Sequence, residues 1–236
     1  MTEHRDAGDT VPDGPPIEPD YDSDPERWRS WSAARDVPHL LAGRLAGRVL
    51  DVGCGDGRLA RLLPETVTWI GVDASWRQLS RVRDRPVVQA DMRRLPFADR
   101  SVDTVLQLWC LYHVPDQVTA VAEARRVLRE GGTYYACTSA RTNDPELVPD
   151  GYPPTSYDAE DAEAITRAVF DTVDAMAWEV PQVIRDRDEL RAYCRHHLLD
   201  PARAEEVDVP LTLTKRGVLI TAREAGASVT RTARLR

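Results

Sequence analysis

The sequence lacks any apolar run that approaches the ~20 residues needed to cross a membrane. Its first residues also lack the apolar core of a secretory signal. We therefore expect a cytoplasmic protein with no membrane span. Lysine is nearly absent, with Lys215 as its single example, and the formal net charge is -8. Because proteins that bind nucleic acid usually carry a basic face, we expect no nucleic-acid partner.

Cysteine is scarce as well. The four cysteines, at positions 54, 110, 137 and 194, are scattered and do not have the spacing of a metal site. We expect reduced thiols and no bound metal. The adjacent pair His196 and His197 does not change this expectation, because neighbouring residues on a helix point in different directions.

Composition divides the chain into three parts. Residues 1–22 are rich in Asp, Pro and Gly with few large apolar groups, which predicts a disordered tail. Residues 23–224 are predicted to form one domain, and residues 225–236 a flexible polar tail. The domain is expected to begin with helices between Pro25 and Leu45, interrupted at Pro38.

From residue 48 onward, short apolar segments alternate with helical patterns. Strands are predicted at 48–53, 67–73, 86–91, 101–110, 133–139, 172–180 and 217–222. Helices are predicted at 57–63, 75–83, 116–130, 159–170 and 187–197. Gly131 and Gly132 are expected to end the helix at 116–130. This alternation predicts an α/β fold with a parallel sheet and helices on both faces.

Residues 140–158 break the alternation. They contain four prolines, at positions 145, 149, 153 and 154, together with Tyr152 and Tyr157. We predict a long loop, and long loops in compact domains are often functional.

A glycine-rich turn follows the first predicted strand, in VLDVGCGDGRLA at 49–60. Glycines let the backbone adopt unusual dihedral angles and approach a ligand closely. A dinucleotide site prefers G-x-G-x-x-G, but Arg58 occupies the position of the third glycine. An acidic residue before the turn, Asp51, suits the cationic amino-acid part of S-adenosylmethionine better than a pyrophosphate.

Acidic residues also end the next two predicted strands. Asp73 could accept hydrogen bonds from ribose hydroxyls, which holds for NAD and for S-adenosylmethionine alike. Asp91 could accept from an adenine amino group, with Met92 beside the ring. Each aspartate could instead be a helix cap, which is a common role of Asp, and the glycines alone could form a tight turn.

Together, DVGCGDG, GVDAS, ADMRRLPF, HVPD and LREGG resemble the class I S-adenosylmethionine-dependent methyltransferases, in particular the ubiquinone/menaquinone methyltransferase-like (type 11) group. The resemblance covers roughly residues 49–139. It implies a Rossmann-like, doubly wound, mostly parallel seven-stranded sheet whose reversed final strand is 217–222. It also implies a substrate lid made by the N-terminal helices and the 140–158 loop.

The resemblance further implies the cofactor contacts. Asp51, Gly53 and Gly55 would contact the methionine part of S-adenosylmethionine, Asp73 the ribose, and Asp91 with Met92 the adenine. Three neighbouring residues complete the predicted cofactor site: Cys54, Ala74 and Leu108. S-adenosylhomocysteine would be the product.

Several residues are candidates for the acceptor side. His113 follows the fourth strand and could be a general base, a substrate contact or a structural residue, and Tyr157 is a second candidate base. Trp109 and Tyr112 could line the substrate pocket or belong to the core. Four aromatic residues are expected to cover the cleft: Trp28, Trp31, Tyr152 and Tyr157.

The acceptor is predicted by what the chain lacks. No Asn/Asp-Pro-Pro-aromatic motif follows the fourth strand, the single asparagine (Asn143) gives no Asp-Asn metal pair, and no cysteine lies in a proline context. A small-molecule acceptor methylated at O, N or C remains, such as a quinone or a specialised metabolite. The alternatives are a methyltransferase for RNA or protein, a NAD-dependent oxidoreductase, and a non-catalytic cofactor-binding protein. We expect a monomer or a homodimer.

Overall fold

The computed structural model describes residues 37–223 of the chain. The predicted tails at 1–22 and 225–236, and the aromatic residues Trp28 and Trp31, lie outside this range. Most of the predicted N-terminal helices also lie outside it, and one short helix, α1 (Val37–Ala42), is described.

Seven strands form one sheet in the order β3-β2-β1-β4-β5-β7-β6. Strands β1 to β5 are parallel, and β7 is inserted antiparallel between β5 and β6. The predicted α/β class, seven-stranded sheet and reversed final strand are therefore confirmed. The strands are β1 (Arg48–Val52), β2 (Thr68–Asp73), β3 (Val87–Gln89), β4 (Val102–Leu108), β5 (Leu128–Ser139), β6 (Thr172–Ile184) and β7 (Leu211–Arg223).

The helices that cover the sheet are short. Polar residues begin the two longest: the Asp116 carboxylate accepts from the Thr119 amide at 2.9 Å, and the Asp186 carboxylate from the Glu189 amide at 2.8 Å. After α1 come α2 (Trp76–Leu79), α3 (Gln117–Val127), α4 (Ala159–Arg167), α5 (Arg187–His196) and α6 (Arg203–Glu206), with 3₁₀ turns at Leu59–Leu62 and Leu111–His113. No helix in the described range is long and apolar enough to cross a membrane.

Alternating strand residues build two buried layers on opposite faces of the sheet, because successive side chains point to opposite sides. The first core cluster includes Leu50, Val52, Val72, Val105, Val121, Tyr134 and Ile220. The second core cluster includes Val49, Trp69, Leu106, Tyr135, Cys137 and Leu219. A third, smaller cluster lies under α5 and includes Leu147, Ile184, Leu190, Tyr193 and Leu213.

Several predicted boundaries are wrong. The helix predicted to end at Gly131 and Gly132 stops at Val127, and both glycines belong to β5, because Leu128 already pairs with Val102 of β4. The helix predicted at 75–83 is only α2, and the one at 57–63 is a 3₁₀ turn. Strands β6 and β7 are longer than predicted, because they pair with each other from Thr172–Arg223 to Ile184–Leu211.

Residues 140–158 contain no helix or strand, as predicted, but they are held at both ends. The Arg141 side chain forms ion pairs with Asp158 at 3.0 Å and with Asp161, and its carbonyl accepts from the Tyr152 amide at 2.8 Å. The loop is thus fixed to the start of α4.

A buried ion pair joins the loop to the sheet. Lys215 Nζ on β7 lies 2.7 Å from Asp144 Oδ1, and both side chains are fully buried. Asp144 also accepts hydrogen bonds from the Tyr152 and Tyr193 hydroxyls, at 2.9 and 2.7 Å. Loop, β7 and α5 therefore meet at one carboxylate.

Lys215→Met should destabilise the protein by about 3–5 kcal/mol, because it leaves the buried Asp144 carboxylate without its cation. The matched control is Arg216→Met on the same strand. Arg216 pairs with Glu179 on the surface, with 36% and 62% of the two side chains exposed, so the control should cost about 1 kcal/mol or less. Urea unfolding measures the free energy of unfolding of both variants. Equal losses in the two variants would show that the buried Lys215–Asp144 pair contributes no more than the surface pair.

Candidate functional site

The glycine-rich turn leaves β1 at its carboxyl end. Gly53, Gly55 and Gly57 all have positive φ, at 74°, 54° and 72°. A Cβ on Gly53 would lie 2.7 Å from the Cys110 sulfur, so a side chain cannot be accommodated there. A Cβ on Gly55 would meet nothing within 4 Å. The turn therefore packs tightly against the β4 loop at Gly53 and borders open space at Gly55.

Asp73 joins this turn to the end of β2. One of its carboxylate oxygens accepts from the Gly55 amide and the other from the Ser75 amide, both at 2.9 Å. Ser75, not Asp73, is the N-cap of α2, because its hydroxyl accepts from the Gln78 amide. The helix-cap alternative for Asp73 is therefore wrong. Each oxygen of Asp73 also keeps a lone pair for a further donor.

Asp51 is a buried carboxyl beside the turn. It is 4% exposed, and Trp69 Nε1 donates to its Oδ2 at 3.1 Å. Burial raises the pKa of Asp51 to about 7, against the lowering effect of the Trp69 hydrogen bond. Within residues 37–223, no cation forms an ion pair with Asp51. A cation bound nearby would favour the ionised form of this buried carboxyl group.

Asp91 and Met92 follow β3 on the same edge of the sheet. Asp91 is exposed and forms an ion pair with Arg93 at 2.6 Å, which lowers the pKa of the Asp91 carboxyl. No helix begins at Asp91, so the helix-cap alternative is wrong here too. Met92 is half-buried and packs against the first core cluster.

The segment after β4 forms the opposite side of the turn. Trp109 has φ of 52°, and its amide donates to the Cys137 carbonyl at 2.8 Å. Leu108 and Trp109 are half-buried and pack against the second core cluster, as does Cys54. This contact places the end of β4 beside the glycine-rich turn.

The candidate base His113 is exposed at the end of a 3₁₀ turn, with its ring centroid 4.5 Å from that of Tyr112. Tyr112 is half-buried and packs against the first core cluster. Ala74, the last cofactor residue predicted, is exposed just after β2.

The structure argues against Tyr157 as a general base or a cover of the cleft. Its side chain is 1% exposed in the first core cluster, and burial raises the pKa of its hydroxyl. Tyr152 is half-buried, packs against the third core cluster and donates to Asp144, so its hydroxyl takes part in the Lys215 network.

Some site residues belong to no recognisable sequence pattern. Trp69 is the second residue of β2 and becomes notable only because it donates to Asp51. Cys110 explains why position 53 must be glycine. Lys215 stands out only as the single lysine.

Comparison with known proteins points in one direction. Residues 50–136 match the family model described as a methyltransferase domain. The chain is 34% identical over 182 residues to 27-O-demethylrifamycin SV methyltransferase of Amycolatopsis mediterranei, covering 71% of this chain and 59% of the relative. It is 38% identical over 108 residues to phosphatidylethanolamine N-methyltransferase of Cereibacter sphaeroides, covering 42% of this chain and 52% of that relative. The chain thus spans little more than half the length of these relatives.

Solved structures share the fold at low sequence identity. A SAM-dependent methyltransferase from Archaeoglobus fulgidus aligns with a TM-score of 0.55 and 16% identity, covering 83% of this chain and 99% of that one. The [4+2]-cyclase SpnF aligns with a TM-score of 0.57 and 19% identity, covering 82% of each. These similarities show the fold alone.

Asp51→Asn should remove a pH-dependent loss of stability. The folded-state pKa of Asp51 lies above its ordinary value, so the unfolded chain releases this proton at lower pH. Stability is therefore lost as pH rises from about 4 to about 7, by roughly 3 kcal/mol in all. The asparagine keeps an oxygen for Trp69 and carries no charge.

Urea unfolding at pH 4.5 and pH 7.5 measures this effect. The stability advantage of Asp51→Asn over the parent should grow by roughly 3 kcal/mol between the two values. Asp174→Asn, at an exposed position on β6, is the charge-matched control. An advantage that does not change with pH would show that Asp51 is ionised throughout.

Proposed function

Since residues 50–136 form a class I S-adenosylmethionine-dependent methyltransferase domain, we propose that the protein transfers a methyl group to O, N or C of a small-molecule acceptor. The observation that carries the proposal is the buried Asp51 carboxyl, without a cation in the described range, beside the open space at Gly55. A quinone-directed subgroup is not specifically indicated, because the relatives are named for different acceptors.

The chemistry of these residues suits each part of S-adenosylmethionine in turn. The ammonium group of S-adenosylmethionine would neutralise Asp51 and lower its pKa, because a nearby opposite charge favours the ionised form. Gly53, Cys54 and Gly55 would lie along its methionine part. The free lone pairs of Asp73 would accept from the ribose hydroxyls, with Ala74 beside them.

The adenine would lie between β3 and β4. Asp91 accepts from the Arg93 backbone amide, Nε and Nη2, so an adenine amino group would compete with Arg93 for this carboxylate. Met92 offers an apolar surface. Leu108 would form the opposite wall. The cofactor assignments use the ends of four strands, β1 to β4, on one edge of the sheet, which is where open α/β sheets bind ligands.

The bound cofactor would supply an activated methyl group on a sulfonium. The chain would align the acceptor with that methyl and exclude water, which is the main contribution a protein makes to such a displacement. Trp109 and Tyr112 would line the acceptor side. The 140–158 loop, held by Arg141 and Asp144, would act as a fixed wall of the pocket.

The acceptor class follows from the relatives by analogy. One is named for a rifamycin derivative and another for phosphatidylethanolamine. Together with the acidic balance of the chain, these names favour a small organic molecule over RNA or protein.

Calorimetric titration with S-adenosylhomocysteine tests the cofactor. The parent should bind in the micromolar range, and Asp73→Ala should weaken binding by about tenfold or more, because the ribose hydroxyls lose a charged acceptor. Asp174→Ala on the exposed face of β6 is the control and should bind like the parent. If the parent does not bind, the proposed activity is wrong, and NAD becomes the next ligand to titrate.

His113→Ala tests the general base. If His113 takes a proton from the acceptor, turnover should fall by about 10²–10⁴-fold, with unchanged affinity for S-adenosylhomocysteine. His196→Ala, on the last turn of α5, is the control. Full turnover in His113→Ala would remove the catalytic role and leave the cofactor assignment intact.

A further inference from the structure

Gln182 on β6 is a buried polar side chain without a partner. It is 4% exposed, and neither its amide nitrogen nor its amide oxygen forms a hydrogen bond with the described residues. Gln107 on β4 shows the usual arrangement: it is fully buried, donates to the Ala120 carbonyl and accepts from the Tyr134 hydroxyl at 2.7 Å. Because nearly all buried polar groups are hydrogen-bonded, the exception at Gln182 requires an explanation.

The position of Gln182 relates it to the proposed active site. Strand β5 ends at Ser139, which pairs with Gly217. The first six residues of β7, 211–216, and their partners 179–184 on β6 therefore extend past the carboxyl edge of the parallel strands. This is the edge where Asp51, Asp73 and Leu108 lie, and β6 is the outermost strand, three places beyond β4 in the sheet.

The face of the strand gives a second observation. Trp178, Val180 and Gln182 alternate along β6 and so point to the same side. Trp178 packs against the second core cluster, as Leu108 and Trp109 do. Its Nε1 is buried and likewise has no hydrogen-bond partner in the described part of the chain. Two unpartnered groups thus occur on one face, about 13 Å apart along the strand.

The charge on this face is balanced. Lys215 lies opposite Val180, between Trp178 and Gln182, and Asp144 neutralises it inside the protein. A ligand here would meet donors and one acceptor but no uncompensated charge. This favours a neutral molecule over a carboxylate or a phosphate.

We propose that Gln182 is a specificity-determining residue that binds a hydroxyl or carbonyl group of a neutral acceptor. This inference rests on the proposed methyl-transfer function, whose acceptor it narrows to neutral, oxygen-bearing molecules. The Lys215–Asp144 pair acts only as a positioning element for this face.

The first test compares stability and requires no ligand. Gln182→Met should leave the urea midpoint unchanged or raise it, since no hydrogen bond is lost and a buried amide is removed. Gln107→Met should lower the midpoint, because it leaves the buried Tyr134 hydroxyl without its hydrogen-bond acceptor. If Gln182→Met is destabilised as much as Gln107→Met, the Gln182 amide is structural and the proposal is overturned.

The second test uses a matched pair of probes with the same ring system. One is the neutral 1-hydroxy-2-acetonaphthone, and the other is the anion 1-hydroxy-2-naphthoate. Calorimetry should show that the neutral probe binds the parent better than the anion, with and without S-adenosylhomocysteine. Gln182→Met should weaken the neutral probe by about tenfold or more and leave the affinity for S-adenosylhomocysteine unchanged.

The outcomes separate the two proposals. If the parent does not bind S-adenosylhomocysteine, methyl transfer is contradicted, whether or not the two probes bind. Normal S-adenosylhomocysteine binding, combined with equal binding of the neutral probe to parent and variant, contradicts the role of Gln182 alone. Preference for the anion, or failure of both probes to bind, contradicts the neutral acceptor class.

Discussion

The turn after β1 depends on the absence of a side chain at Gly53. Its φ of 74° and the sulfur of Cys110 both exclude a Cβ there. The amides of Gly53 and Cys54 both donate to the Val72 carbonyl, at 2.7 and 3.0 Å. The ends of β1, β2 and β4 thereby converge within one small region. The cofactor assignment rests on this convergence, because residues far apart in the chain reach one ligand only if these strand ends meet.

Two buried acidic groups illustrate two different uses of the protein interior. Asp144 is compensated by Lys215 and by tyrosine hydroxyls, so it fixes the 140–158 loop to β7 and α5. Asp51 has one hydrogen bond from Trp69 and a raised pKa. A buried carboxyl of this kind is costly when ionised unless a cation joins it, which suits a ligand that carries an ammonium group. The first acid fixes the loop to the sheet, and the second is the group that we propose binds the ammonium group of the cofactor.

The two halves of the candidate site differ in how far they could be predicted. Asp51, the glycines and Asp73 are adjacent to strand ends in the sequence, so the alternation of strands and helices was enough to bring them to one edge. The acceptor side that we propose comes from the β6–β7 extension, the 140–158 loop and α5. Their contacts, such as Lys215 with Asp144, join residues about seventy positions apart. No local pattern encodes such a contact.

The sequence by itself determined the α/β class, the alternation of strands with helices and the glycine-rich turn, because these follow from local hydrophobic periodicity and from glycine's backbone freedom. The reversed last strand was implied only by the resemblance to a known family. Tertiary structure alone decided that β5 begins at Leu128, that β6 and β7 extend to Ile184 and Leu211, and that Tyr157 is a core residue. Strand length depends on pairing with a distant partner, and burial depends on what packs above a side chain. Both are long-range properties, so propensity along the chain does not fix them.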